Sequence, residues 1–129
     1  MVTFEEKLEF LHGGCVEFAC ALHDRYSYPV EHIQKPDGSL THAYCVAQKN
    51  GHLYFIDIRG ITDRWDLFVR PYLPELFGAY RGWNINPYDH ESVMKGYDTE
   101  PHSLFWNDKD RYKKAELIIC GNQNKYQLV

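Results

Sequence analysis

LTHAYCVAQKNGHLYFIDIRG, residues 40–60, is the stretch on which the fold turns. Two strand-like runs flank Asn50-Gly51, a dipeptide that favours the two-residue type I′ hairpin because both positions take positive φ at low cost. Such a loop pairs Lys49 with His52, and the same register sets Tyr44 opposite Asp57 and His42 opposite Arg59. Alternation then places His42, Tyr44, Asp57 and Arg59 on one face of the sheet. His42 and Asp57 become diagonal neighbours, about 7 Å apart at Cβ and within reach of a side-chain hydrogen bond. The opposite face, with Ala43, Cys45, Ala47, Tyr54, Ile56 and Ile58, reads as core. The competing register has a three-residue Lys49-Asn50-Gly51 loop with a bulge, and it would send His42 and Asp57 to opposite faces.

Upstream, Thr3 and Glu6 have the spacing of a capping box, and Phe4, Leu8 and Leu11 follow on one helical face. Gly13-Gly14 end that helix and Cys15 opens the next, GGCVEFACALHDRY. There Cys15, Phe18, Ala19 and Leu22 share the apolar face, while Cys20 lies roughly 140° around the helix. Tyr28-Pro29 mark its exit, PVEHI reads as a short strand and KPDGS as a turn. Downstream the pattern weakens. Thr62 is read as the cap of a short helix DRWDLFVR ending before Pro71, and Asp89 as the cap of another ending at Gly96. The Pro- and Gly-rich stretch between them reads as loops. Asn107 or Asp108 starts a helix that runs through Ile119 and stops at Gly121, although AELIIC could equally be a strand.

A chain of 129 residues is long enough for one domain, 1–129, with its own core. Ten Tyr, seven Phe and three Trp make disorder an unsuitable description. The net charge of −4 argues against nucleic acid as the partner, since phosphate binding requires basic surface. No run approaches membrane-spanning length, and MVTFEEKLEF lacks the basic-then-apolar pattern of a secretion signal. The expectation is a cytoplasmic protein whose four cysteines are reduced thiols.

The chemistry worth weighing starts at Cys15. A thiol becomes a nucleophile when it ionises, and a helix N-terminus or a nearby imidazole lowers its pKa. The histidine in turn needs a third group to hold its ring and stabilise the imidazolium, a role Asp57 could fill for His42. The backbone N–H of Cys15 is one candidate oxyanion donor.

GGCVEFA, THAYCV and LYFIDIRG together resemble the core of the papain-like and transglutaminase-like cysteine enzymes, over residues 13–60. The order Cys, His, Asp suits the transglutaminase-like branch. The resemblance implies an α+β fold, N-terminal helices packed on a small antiparallel sheet. It also implies Cys15 as nucleophile, His42 as base and then acid, and Asp57 as orienter. Two positions depart from the pattern: residues 1–14 contain no glutamine, and Val16 follows the cysteine where transglutaminases carry tryptophan.

The implied activity is that of a thiol hydrolase or acyltransferase on an amide or peptide-type substrate: peptidase, deamidase or transglutaminase-like. It would need no cofactor and would take a protein or peptide as partner. Other readings stay open. A free cysteine on an apolar helix face is commonly just packing. Asp57 could serve only as the ion-pair partner of Arg59, and His12 could replace His42 as base. His23 and His32 read as surface residues, Cys45 and Cys120 as structural ones. Zinc on Cys15, Cys20, His23 and His42 is disfavoured because the two thiols splay to different helix faces. From a different class, the chain could be a catalytically idle binding or inhibitory protein on the same scaffold, encoded by a phage or mobile element.

Overall fold

The computed structural model describes residues 1–34, 40–70, 84–88 and 108–128, of which 32–34, 40, 41 and 84–88 are described by backbone alone. The turn KPDGS and the helix expected from Asp89 to Gly96 lie outside the described residues. In chain order, helices α1 (Phe4–Leu11) and α2 (Cys15–Tyr26) precede strands β1 (Val30–Gln34), β2 (Leu40–Lys49), β3 (His52–Asp57) and β4 (Gly60–Thr62). Helix α3 (Trp65–Val69), strand β5 (Asn84–Tyr88) and helices α4 (Lys109–Gly121) and α5 (Gln123–Tyr126) follow. The strands form one antiparallel sheet in the order β4-β3-β2-β1-β5, so the fold is a mixture of helices and antiparallel sheet.

The hairpin has the register that alternation demands. Lys49 pairs with His52, and the ladder runs unbroken to Cys45 opposite Ile56. Asn50 and Gly51 both adopt positive φ, 53° and 81°, as a type I′ turn requires. Period two then separates two clusters. Ala43, Cys45, Ala47, Ile56 and Ile58 face the buried side of α2, and Ala115, Ile118 and Ile119 of α4 complete that core. On the other face Tyr44, Val46 and Phe55 meet Trp65, Phe68 and Val69 of α3.

Helix α2 is buried nearly all round, from Cys15 to Leu22, because it lies between the sheet and α4 with α1 at its head. The capping box at Thr3 and Glu6 is formed. The face of α1 is rotated from the expected one. Phe10 and Leu11 are buried, whereas Phe4 and Leu8 are 72% and 43% exposed. Phe10 anchors the helix by packing its ring 5.3 Å from that of Phe18, a contact that outweighs the i, i+4 pattern of so short a helix.

Three other expectations change. Helix α3 begins after Arg64, and Thr62 instead accepts the Arg64 N–H in a local turn. Asn84–Tyr88 pairs with β1 as an edge strand, the sheet position that tolerates the missing N–H of Pro87. Cys120 is exposed rather than structural, because the buried stripe of α4 is Ala115, Ile118 and Ile119 and Cys120 falls off it. AELIIC is helical, and Asp108 caps α4 by accepting the Arg111 N–H. Among the described residues no helix is long and apolar enough to cross a membrane.

Candidate active site

The head of α2 is built by two glycines. Gly13 has φ 136°, a conformation L side chains rarely adopt, and the Gly14 N–H bonds Glu9 O at 2.9 Å. A Cβ on Gly14 would meet Arg111 Cδ at 2.7 Å and Phe10 Cδ1 at 2.9 Å, so only glycine fits without rearrangement. Gly14 O then accepts the Phe18 N–H, and the helix starts at Cys15. The thiol is buried against the sheet, where the backbone N–H of Ala43 donates to it.

His42 and Asp57 are brought together directly. Nε2 of His42 and Oδ2 of Asp57 are 2.9 Å apart, and both side chains are buried. Asp57 sits where β3 turns tightly into β4, opposite Gly60, whose φ is 114°. Its Oδ1 accepts the backbone N–H of Arg59 at 2.8 Å, a side-chain turn that holds the carboxylate in place. The Arg59 Nε lies 3.1 Å from both oxygens and one terminal nitrogen 2.5 Å from Oδ2. Tyr126 of α5 ties down the same turn by donating its hydroxyl to Ile58 O at 2.7 Å.

The imidazole is fixed by its neighbours. It stacks on Tyr44 at 5.9 Å and touches Phe68 at 5.8 Å, while the Arg59 guanidinium lies 4.6 Å from the Phe68 centroid. A cleft of about 180 Å³ opens beside this assembly, lined by Asp57, Arg59, Gly60, Ile61, Thr62, Leu67 and Phe68.

Charge states follow from these surroundings. Burial acts to raise the Asp57 pKa, but the His42 hydrogen bond and Arg59 outweigh it and hold the carboxyl below its usual range. Burial pushes His42 below its usual value despite Asp57. An ionised carboxylate can only accept, so Nε2 of a neutral His42 carries the proton and Nδ1 keeps the basic lone pair.

Cys15 departs from the expectation of a low pKa. Burial lifts its thiol to about 11; the Ala43 and Val16 backbone groups pull the other way, and the charges of Glu17 and Asp57 add to the rise. The helix N-terminus does not overcome desolvation here.

The three residues thus stand in different relations. His42 and Asp57 are hydrogen-bonded, whereas Cys15 is linked to them through Ala43, the next residue along β2, and through the Asp57 charge. His42 packs with the Tyr44 and Phe68 side of the sheet, Cys15 with the helical core. His12, the alternative base, is exposed at the end of α1, and its charge reaches His42. The ion pair of Asp57 with Arg59 is present together with the His42 bond, so the carboxylate contacts both partners. Cys20 and Cys45 are core thiols, with Cys45 Sγ 3.2 Å from Ala19 O. His23 is partly buried and bonds Tyr28 O through Nδ1 at 2.6 Å.

Reasoning from sequence missed Glu17, Arg111 and Tyr126. Glu17 had a legible signal, a carboxylate between Val16 and Phe18 in a helix otherwise apolar on that turn. Arg111 and Tyr126 had none, since their partners are far away in the chain. Among the described residues no group of three or more His, Cys, Asp or Glu could hold a metal ion. In comparison with known proteins no family model matches the chain, and no curated protein or solved structure matches it significantly.

Proposed function

We propose that the chain is a cysteine hydrolase or acyltransferase of the papain-like or transglutaminase-like kind, acting in the cytoplasm on an amide or peptide-type substrate through a thioester at Cys15. The observation that carries this reading is the buried His42–Asp57 hydrogen bond on the sheet that receives the head of the Cys15 helix. Neutral His42 has the tautomer a general base needs, and Asp57 stabilises the imidazolium that forms when the base is used.

The resting state is a neutral thiol and a neutral imidazole, packed on different sides of the sheet. A thiol lifted to about 11 and an imidazole held below its ordinary value make the neutral pair the stable one. For the triad to act, Cys15 has to reach the His42 face of the sheet, and proton transfer from Sγ to Nδ1 then accompanies attack on the carbonyl carbon rather than preceding it. His42 then returns that proton to the leaving amine as the tetrahedral intermediate collapses to the thioester.

The test is acyl capture. The protein is treated with p-nitrophenyl acetate and each cysteine is read by peptide mass spectrometry, in wild type, His42→Ala and Asp57→Asn. Acetylation of Cys15 ahead of exposed Cys120, lost in both variants, supports the reading. Acetylation confined to Cys120 sinks it. That second outcome would favour a binding or inhibitory protein with an idle site, a reading that the burial of Cys15 also supports.

A further inference from the structure

Arg111 reaches from α4 to the turn that launches α2. Its Nε lies 3.2 Å from a Glu9 oxygen, one terminal nitrogen donates to Gly13 O at 3.3 Å, and the same nitrogen is 3.7 Å from Glu17 Oε1. Its Cδ packs over Gly14 at the spot a Cβ would take. One side chain thus touches Glu9, Gly13, Gly14 and Glu17, which bracket Cys15 on both sides.

Glu17 is an unusual residue for its place. It is buried in the first turn of α2, and its Oε2 accepts no hydrogen bond among the described residues. From α4 it is faced by Arg111 and Asp108. From α1 it is faced by Glu9, through the guanidinium they share, and Glu9 is also paired with Lys114. On its own helix its charge is felt by Cys15 and Cys20. A buried carboxylate with one oxygen unpartnered is costly to ionise, and this one lies two residues from a thiol.

We propose that Arg111 and Glu17 are a positioning pair for Cys15: the guanidinium holds the Gly13-Gly14 turn, and the charge on Glu17 sets how readily the neighbouring thiol ionises. The inference deepens the reading of Cys15 as the nucleophile, but it concerns the thiol itself. Burial lifts the Glu17 carboxyl to about 7, with Arg111 opposing the rise, so the carboxyl changes charge near neutrality. As pH rises through that range, Glu17 ionises and its negative charge opposes formation of the thiolate. Reactivity of Cys15 should then climb less than tenfold per pH unit near pH 7 and regain the full slope above it.

The experiment is iodoacetamide alkylation of Cys15 against pH, read by peptide mass spectrometry in the full chain. Wild type should show the flattened segment near neutrality. Glu17→Gln should remove it and raise the rate above neutrality by the same factor that the flattened segment costs wild type. Arg111→Ala should move the segment to higher pH, because the carboxylate loses its counter-charge, and Arg111→Lys should move it part of the way back. A full slope through neutrality in wild type overturns the proposal even if no variant folds. So does a flattened segment that survives Glu17→Gln, or a Cys15 that reacts only on unfolding. The readout uses no substrate: a flattened segment without acyl transfer would leave the pair standing and remove the enzyme reading.

Discussion

Asp57→Asn is the substitution on which the site's logic is most exposed. The carboxylate accepts from His42 Nε2, from the Arg59 backbone N–H and from the Arg59 side chain. An amide keeps the shape and loses the charge. Its oxygen can retain the backbone bond, but its nitrogen then points donor to donor at His42 or Arg59. Removing one member of a buried pair costs about 3–5 kcal/mol, because the partner is left uncompensated. Arg59 is 24% exposed at the cleft and can turn to water, so the low end, about 3 kcal/mol, is the expectation here. With a urea slope of about 1.5 kcal/mol per molar, the unfolding midpoint should fall by about 2 M. The same change should move the His42 proton from Nε2 to Nδ1, visible in the ring ¹⁵N shifts, and so remove the basic lone pair from Nδ1. A midpoint within about 0.5 M of wild type, given that slope, would refute the energetic argument. An Nδ1–H tautomer in wild type would refute the chemical one.

Acid titration separates three buried groups, one that adds stability as pH falls and two that lose it. Glu17, at about 7 against 4.5, binds its proton first in the folded state, so its contribution to stability grows as pH falls from 7 towards 4.5. His42, held below 6.5, takes its proton later when folded, so stability drains as pH falls below 6.5. Asp57, held below 3.8, adds stability that is lost only as pH falls through its folded value. Relative to wild type, Glu17→Gln should therefore lose roughly 3 kcal/mol between about pH 7.5 and 4.5, and a pH-independent difference in urea midpoints would count against this. Gly14→Ala should destabilise by about 1–3 kcal/mol in thermal or urea melts, since its Cβ would enter the Arg111 and Phe10 contacts. In native protein near pH 8, Cys120 should alkylate first, and Cys20 and Cys45 only on unfolding; native labelling of Cys45 would contradict the core packing.

The hairpin and the pairing of His42 with Asp57 were legible in residues 40–60. A two-residue Asn-Gly loop leaves one register, and alternation then decides which side chains share a face. The start of α2 at Cys15 was equally local, a matter of two glycines before an apolar run. So was the capping box at Thr3. The face of α1 was not, because Phe10 is chosen by a ring on another helix rather than by its own periodicity. Neither was β5, whose polar residues NINPY become a strand only where β1 presents an unpaired edge.

At the site the division is the same. Sequence alone determined which chemical groups are present, and the hairpin rule determined that His42 can reach Asp57. The tertiary structure decided their charge states. Desolvation of Cys15 depends on α1, the sheet and α2 closing around it, and it reverses the low pKa that a helix start suggests. Arg111 meets Gly13 and Glu17 only because α4 packs across α2 from the far end of the chain. Register follows from short-range geometry; dielectric surroundings and distant counter-charges exist only once the chain has folded.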